Sequence, residues 1–314
     1  MKNLTVESHN LMRIHYFHDT YGNFGDDLNL WLWPRVLPGA SPDGPDPLLL
    51  GIGTVLHSRH PQETVKVVLG AGVGYGELPD KDEKWHFYAV RGPGTAAALG
   101  LAPELAITDA AALIARLIPA GGRGGPPAFM PHHKSRPVFR WPALCARLGW
   151  TFLDPWAPVE RTLELIRGSS VVIAEAMHAA IVADALRVPW VPIHAYGHIN
   201  EFKWEDWCGS LQMSHAPVRV APLFDHHRSA PHFRLADYAR HSLRNRRLTR
   251  EGAWELQAPS DRATIRSVEE QLAGIGNDAS QWRLSDDGIF QERVARLYDA
   301  LCRVRADWMS PAAR

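Results

Sequence analysis

Tyr21-Gly22-Asn23-Phe24-Gly25-Asp26-Asp27-Leu28 carries two glycines three residues apart and a pair of adjacent carboxylates, a composition that suits neither a strand nor a helix interior. Glycine there frees the backbone for a left-handed turn or for close approach of another group. On its N-terminal side Leu11 to Phe17 reads as a short apolar strand, and on its C-terminal side Leu28-Asn29-Leu30-Trp31-Leu32-Trp33 reads as an apolar helix ended by Pro34. Strand, glycine turn and helix start together make the corner of an α/β protein where backbone N–H groups gather and anions bind. Asp26 and Asp27 can serve a ligand there or cap the helix.

Outward from this corner the pattern repeats. Leu48-Leu49-Leu50-Gly51-Ile52-Gly53 and Val67-Val68-Leu69-Gly70-Ala71-Gly72 are aliphatic strands running into glycine turns, and the rhythm predicts a strand, a turn and then a helix each time. Strands apolar on both faces belong to parallel sheets covered by helices, so the fold class is α/β. The alternating Gly70, Gly72, Gly74 and Gly76, with Pro79 close behind, lack the spacing and following helix of a dinucleotide fingerprint, so no nicotinamide cofactor is expected.

Lys+Arg 34 against Asp+Glu 34 leaves no net charge, which argues against a nucleic-acid partner, and a hydrophobic fraction of 46% suffices for a substantial core. Cys145, Cys208 and Cys302 are too scattered for a disulfide framework or a structural zinc site. No run approaches the roughly 20 apolar residues of a membrane span. A soluble cytoplasmic protein is expected, with peripheral attachment to the inner face of the plasma membrane left open.

Polar residues fall where strands end. Arg91 closes the strand Trp85 to Val90, where its planar fork suits a carboxylate or phosphate, and Asp109 stands where it can cap a helix over 110–118 after a strand Ile107-Thr108. A Gly/Pro stretch, 119–127, then interrupts the pattern, with seven of nine residues Gly or Pro, and predicts an interdomain hinge. Beyond it Ala128 to Met130 leads into His132-His133-Lys134, and Val171 to Ala174 leads into Glu175 and a helix with His178 in its first turn. A histidine at a helix N-terminus facing a crevice can supply a proton near neutral pH, with Glu175 as its nearest expected carboxylate. His132 and His133, adjacent in a strand, would point to opposite faces, so no metal site is expected.

Taken together, Gly22-Asn23-Phe24-Gly25-Asp26-Asp27, Val90-Arg91-Gly92-Pro93, Met130-Pro131-His132-His133 and Ala174 to Ala180 occur in the order and spacing that resembles the polysaccharide pyruvyl transferase family, closest to its exopolysaccharide, succinoglycan-type branch. The resemblance spans about residues 12 to 215. It implies two Rossmann-like domains facing each other across a cleft (GT-B-like): 1–120, 126–235 and a helical tail 236–314 whose last helix can cross back to the first domain. It also implies transfer of the enolpyruvyl unit of phosphoenolpyruvate onto two hydroxyls of an exopolysaccharide sugar or its lipid-linked precursor, giving a pyruvate ketal and phosphate without a cofactor.

By the same resemblance His178 is the proton donor and Asp26 or Asp27 orients the acceptor hydroxyl. Asn23, Gly25, Arg91, His132, His133, Lys134 and Glu175 bind substrate; the stretch Phe202 to Trp207 mixes aromatic faces with charges, so Lys203 and Trp204 either contact the acceptor sugar or belong to an amphipathic interdomain helix. Ala176 departs from the arginine that many family members carry there, which leaves Lys134 or the histidines to replace its charge. The segment Asp237 to Arg250 is strongly basic and reads as a solvated helix face or as a contact for anionic lipid. A nucleotide-sugar glycosyltransferase and a non-catalytic glycan-binding protein are the alternative readings.

Overall fold

Aliphatic strands buried on both faces need cover on both sides, and that requirement organises this chain. The structure, a computed structural model, describes residues 12–121, 124–225 and 258–309. Within them ten strands form two five-stranded sheets whose strand pairs are all parallel. The first comprises β1 (Met12–His15), β2 (Ala40–Ser41), β3 (Leu48–Leu50), β4 (Lys66–Leu69) and β5 (Trp85–Ala89), in the order β2-β1-β3-β4-β5. The second comprises β6 (Ala128–Met130), β7 (Thr151–Phe152), β8 (Val172–Ala174), β9 (Trp190–His194) and β10 (Val218–Arg219), in the order β7-β6-β8-β9-β10. Each sheet therefore turns around between its first and third strands, and crevices at the carboxyl ends of strands open at such points.

The connections differ between halves. In the second, a helix follows each of the first four strands: α3 (Trp141–Leu148), α4 (Val159–Gly168), α5 (Met177–Ala185) and α6 (Glu201–Ser210). In the first, α1 (Phe24–Val36) follows β1 and α2 (Pro93–Ala98) follows β5, but residues 51–65 and 70–84 form no helix, contrary to the predicted repeat. Closely spaced glycines together with Pro61 and Pro79 remove the run of helix formers a crossover helix needs. Ile107-Thr108 likewise forms no strand; Asp109 instead caps a 3-10 helix, Ala110–Arg116, accepting from the Ala111 N–H at 2.9 Å.

Helix α1 begins four residues earlier than its apolar run predicts and continues through Pro34. Its cap is Asn23, whose side chain accepts from the Gly25 N–H at 3.3 Å, so Asp26 and Asp27 occupy the first turn, where the helix dipole favours carboxylates. Pro34 lies in the last turn and forfeits one hydrogen bond only.

Two C-terminal helices, α7 (Arg262–Asn277) and α8 (Asp287–Trp308), complete the described residues. Helix α7 lies against α3, whereas α8 lies against β4, β5 and the Ala110–Arg116 turn, with Trp308 Nε1 donating to Tyr88 Oη at 2.9 Å and Tyr88 donating to Asp307 at 2.6 Å. No helix among the described residues is long and apolar enough to cross a membrane. The two sheets lie on either side of the Gly/Pro stretch, whose Gly121 N–H donates to Leu186 O at 2.7 Å. A side chain at Gly125 would overlap the Gly168 carbonyl. The basic segment 237–250 falls outside the described residues.

Candidate active site

The carboxyl ends of β1 and β8, one strand from each sheet, bring the α1 N-terminus and His178 against one another. From the first half comes the α1 N-terminus. Asn23 Nδ2 donates to Asp26, the Asn23 N–H donates to Asp27 Oδ2 at 3.1 Å, and the Phe24 N–H reaches across to Pro155 O at 2.8 Å. Asn29 ties the same helix to the turn after β3: its Nδ2 donates to Ile52 O at 3.1 Å and its Oδ1 accepts from the Ile52 N–H at 3.0 Å. That holds Gly53, at φ +110°, where a side chain would press on Asp26 Oδ1.

From the second half comes His178, in the first turn of α5. Gly25 lies directly on its ring, so closely that a Cβ there would overlap the imidazole. The other side of the ring faces Asp109, with Nε2 to Oδ2 at 3.7 Å, and Asp109 is fully buried. His178 Nε2 and Asp109 Oδ2 each lack another hydrogen-bond partner among the described residues. Asp109, and not Glu175, is thus the carboxylate beside His178; Glu175 is buried and accepts the His132 N–H at 2.9 Å. Desolvation raises the Glu175 carboxyl to about 7, against its hydrogen bonds from Ser135, His132 and Ala195. Desolvation also raises Asp26, to about 6, opposed by the charges of His178 and Lys203. A buried acid poised near neutrality beside a histidine is an arrangement that suits proton transfer.

Lys203, on α6, links the two halves. Its Nζ lies 4.7 Å from the centre of the Tyr75 ring, and its charge acts on Asp26, Tyr75, His132, His133 and His198. Desolvation raises the Tyr75 phenol, but Lys203, followed by Lys134 and Arg91, brings it below its usual value. Asn200 Nδ2 donates to Gly74 O at 2.8 Å beside it.

Three expectations are corrected. Arg91 does not face a ligand: it is fully buried, with Nε donating to Asp206 at 2.9 Å, one terminal nitrogen to Val73 O at 2.7 Å and the other to Thr54 at 3.1 Å. Asp206, on α6, also accepts from the Thr95 N–H and hydroxyl, so Arg91 is a strut between the halves. Trp204 is 2% exposed, packed on His215, Trp190 and Trp207, and offers no face to a sugar. His132 and His133 lie past the end of β6 with ring centres 4.4 Å apart, not on opposite faces. Desolvation holds His132 well below its usual pKa and His133 at about 4, so both are neutral at pH 7, and the positive charges acting on them come from Lys134 and Lys203.

Tyr75, Asp109 and His198 were not singled out as site residues from the sequence. His198, whose ring centre is 4.8 Å from that of His132, follows β9 as His132 follows β6, a parallel that sequence position alone could have suggested. Two surface hollows, one around Met213, Trp282 and Arg283 and one along Asp27, Leu30, Trp31 and Trp156, do not include His178.

Comparison with known proteins decides the family. Residues 120–194, which span β6 to β9 with His132, His133, Glu175 and His178, match the model of polysaccharide pyruvyl transferase. Over 214 residues the chain is 44% identical to the succinoglycan biosynthesis protein ExoV of Rhizobium meliloti (strain 1021), covering 67% of this chain and 68% of that protein. The chain belongs to the polysaccharide pyruvyl transferase family. No solved structure matches it. Within this chain the family match falls on the half that supplies His178, while the residues beside that histidine, Asp109 and Gly25, come from outside the matched segment.

Proposed function

We propose that this protein transfers the pyruvyl unit of phosphoenolpyruvate to a sugar of an exopolysaccharide, or of its lipid-linked precursor, as a cyclic ketal. The observation that carries this reading is His178 placed between Asp109 and the α1 N-terminus, near an Asp26 carboxyl raised to about 6 on which the Lys203 charge also acts. In this reading the two sheets belong to facing Rossmann-like domains, residues 1–120 and 126–235, with the tail from 236, and the donor enters where their strand ends meet. The protein works in the cytoplasm on precursors at the inner membrane face.

Phosphoenolpyruvate is an enol ester that becomes electrophilic at C2 when its methylene carbon is protonated. His178, facing Asp109, delivers that proton, and Asp26 takes the proton of the first attacking sugar hydroxyl. Phosphate then leaves C2 with its bonding electrons, and a second hydroxyl of the same sugar closes the ketal, its proton passing through Asp26 to the phosphate. Two hydroxyl protons are released, one replacing the proton that made the methyl group and one ending on phosphate. Lys203 and Lys134 offset the charge of the donor, in place of the arginine that Ala176 lacks, and neutral His132, His133 and Tyr75 are at hand as hydrogen-bond partners. Asp27, bound to the Asn23 N–H, acts as part of the cap and lines the hollow with Leu30, Trp31 and Trp156 along which the acceptor approaches.

The test is phosphate release from phosphoenolpyruvate with and without an exopolysaccharide oligosaccharide, alongside melting temperature with phosphoenolpyruvate or nucleotide sugars. Acceptor-dependent release, reduced roughly 10²–10⁴-fold in His178→Gln, supports the assignment. Stabilisation by nucleotide sugars alone would point to glycosyl transfer and overturn it.

A further inference from the structure

The crossover from β3 to β4, residues 51–65, carries no helix, yet it covers one face of the first sheet. Its cover includes two histidines, His57 and His60, that meet a third, His15, the last residue of the neighbouring strand β1. One ring nitrogen from each lies within 4.8 Å of the others. His57 and His60 are stacked with ring centres 4.5 Å apart, and His15 stands edge-on to His60 at 4.8 Å. We propose that His15, His57 and His60 form a binding site for a zinc-class divalent cation that staples this helix-free crossover to the sheet.

The second shell already has the form such a site needs. His60 is buried, and its Nε2 donates to Val55 O at 2.6 Å, which fixes the tautomer and leaves the Nδ1 lone pair free. A carbonyl holding the far nitrogen of a ligating histidine is the usual way its ring is oriented. His57 Nδ1 receives only a long 3.3 Å contact from the Arg59 N–H, the bond that an ion would replace. Desolvation, the largest influence on all three rings, keeps them neutral, the form that offers a lone pair. Zn–N bonds of about 2.1 Å place ligand nitrogens roughly 3.4 Å apart, so closure by roughly 1.4 Å at most, taken up by the half-buried His15 and His57, completes three sides of a tetrahedron. Water takes the fourth.

The donor set also selects the ion. No carboxylate belongs to the cluster, and the charged groups acting on it are Arg13, which pairs with Asp46 at 2.6 Å, Arg59 and Lys66. Calcium and magnesium, which need oxygen ligands and negative charge, are thereby excluded, whereas borderline ions that bind imidazole through covalent affinity remain. The cluster lies outside the proposed donor site, so the two proposals stand or fall separately.

The untagged full-length protein, stripped with a chelator, is titrated with Zn²⁺ and then Co²⁺. One tightly bound equivalent, the intense visible absorption of four-coordinate Co²⁺ and a rise in Tm on the order of 5 °C are expected. His15→Asn and His57→Asn each should weaken binding by more than the roughly 100-fold that loss of an outer-shell partner costs. Should either variant fail to fold, Zn²⁺ must protect His15, His57 and His60 of the wild-type protein from acylation by diethyl pyrocarbonate, read by mass spectrometry. Absence of a stoichiometric site, binding undiminished in both variants, or protection of His132 and His133 instead overturns the proposal.

Discussion

Gly25 shows how closely the candidate site depends on one missing side chain. It sits in the first turn of α1, where alanine is as welcome as glycine to the helix, so backbone conformation does not require it. Contact does, because the His178 ring occupies the space a Cβ would need. Gly25→Ala is expected to leave Tm within about 2 °C while reducing turnover by roughly 10², the scale on which a displacement of about 1 Å acts. Asp26 makes the converse case. Its carboxyl is raised from 3.8 to about 6, so the folded state holds the proton more tightly than the unfolded chain does. Stability linked to that proton is fully present below pH 3.8 and is lost as pH rises through 6. Asp26→Asn should therefore stabilise the protein at pH 7.5, by up to about 3 kcal/mol in urea unfolding, leave it unchanged near pH 3.8, and abolish activity. A loss of stability at pH 7.5 would mean that the carboxylate is better accommodated than its burial implies.

Among the elements, the join between α2 and α6 decides whether the two halves keep their places. Arg91 leaves β5 and meets Asp206 on α6 in an ion pair with both side chains fully buried, and Gly92 lets the Asp206 backbone pass where any Cβ would overlap it. Breaking a buried pair leaves an uncompensated charge, so Arg91→Ala is expected to cost about 3–5 kcal/mol in denaturant unfolding. If Arg91 served the donor instead, the same variant would raise KM for phosphoenolpyruvate with Tm unchanged. Gly92→Ala should destabilise as well, and limited proteolysis should then cleave at α6, because its clash is with backbone that cannot turn aside.

The whole molecule carries an unusual load of neutral histidine. His15, His57, His60, His132, His133, His198 and His215 all have depressed pKa values, with desolvation the largest cause in each. Below 6.5 the unfolded chain protonates these groups while the folded protein does not, so stability present above pH 6.5 is lost as pH falls toward 4. Asp26, Asp27 and Glu175 act in the opposite sense over part of the range but are three against seven. The urea midpoint is therefore expected to fall steeply between pH 7 and pH 5, a range in which ordinary carboxylates do not titrate. A flat profile over that range would show that the rings are already charged in the fold.

Alternation of aliphatic strands with glycine turns was enough to place the α/β class, the break near residue 120 between the sheets, and the histidine at the start of α5, because these depend on local composition and on the period of apolar residues. The start of α1 at Asn23 was legible in principle, since a capping asparagine is a local signal, but the neighbouring aspartates masked it. Partnerships across the chain were not legible. Arg91 looks the same in sequence whether it meets a substrate or Asp206, 115 residues away, and the same holds for Trp204 as platform or core, for Asp109 as cap or partner of His178, and for His15 beside His57 and His60. Which of two available roles a polar side chain takes depends on desolvation and on what stands opposite, and both are set only when distant segments close on one another.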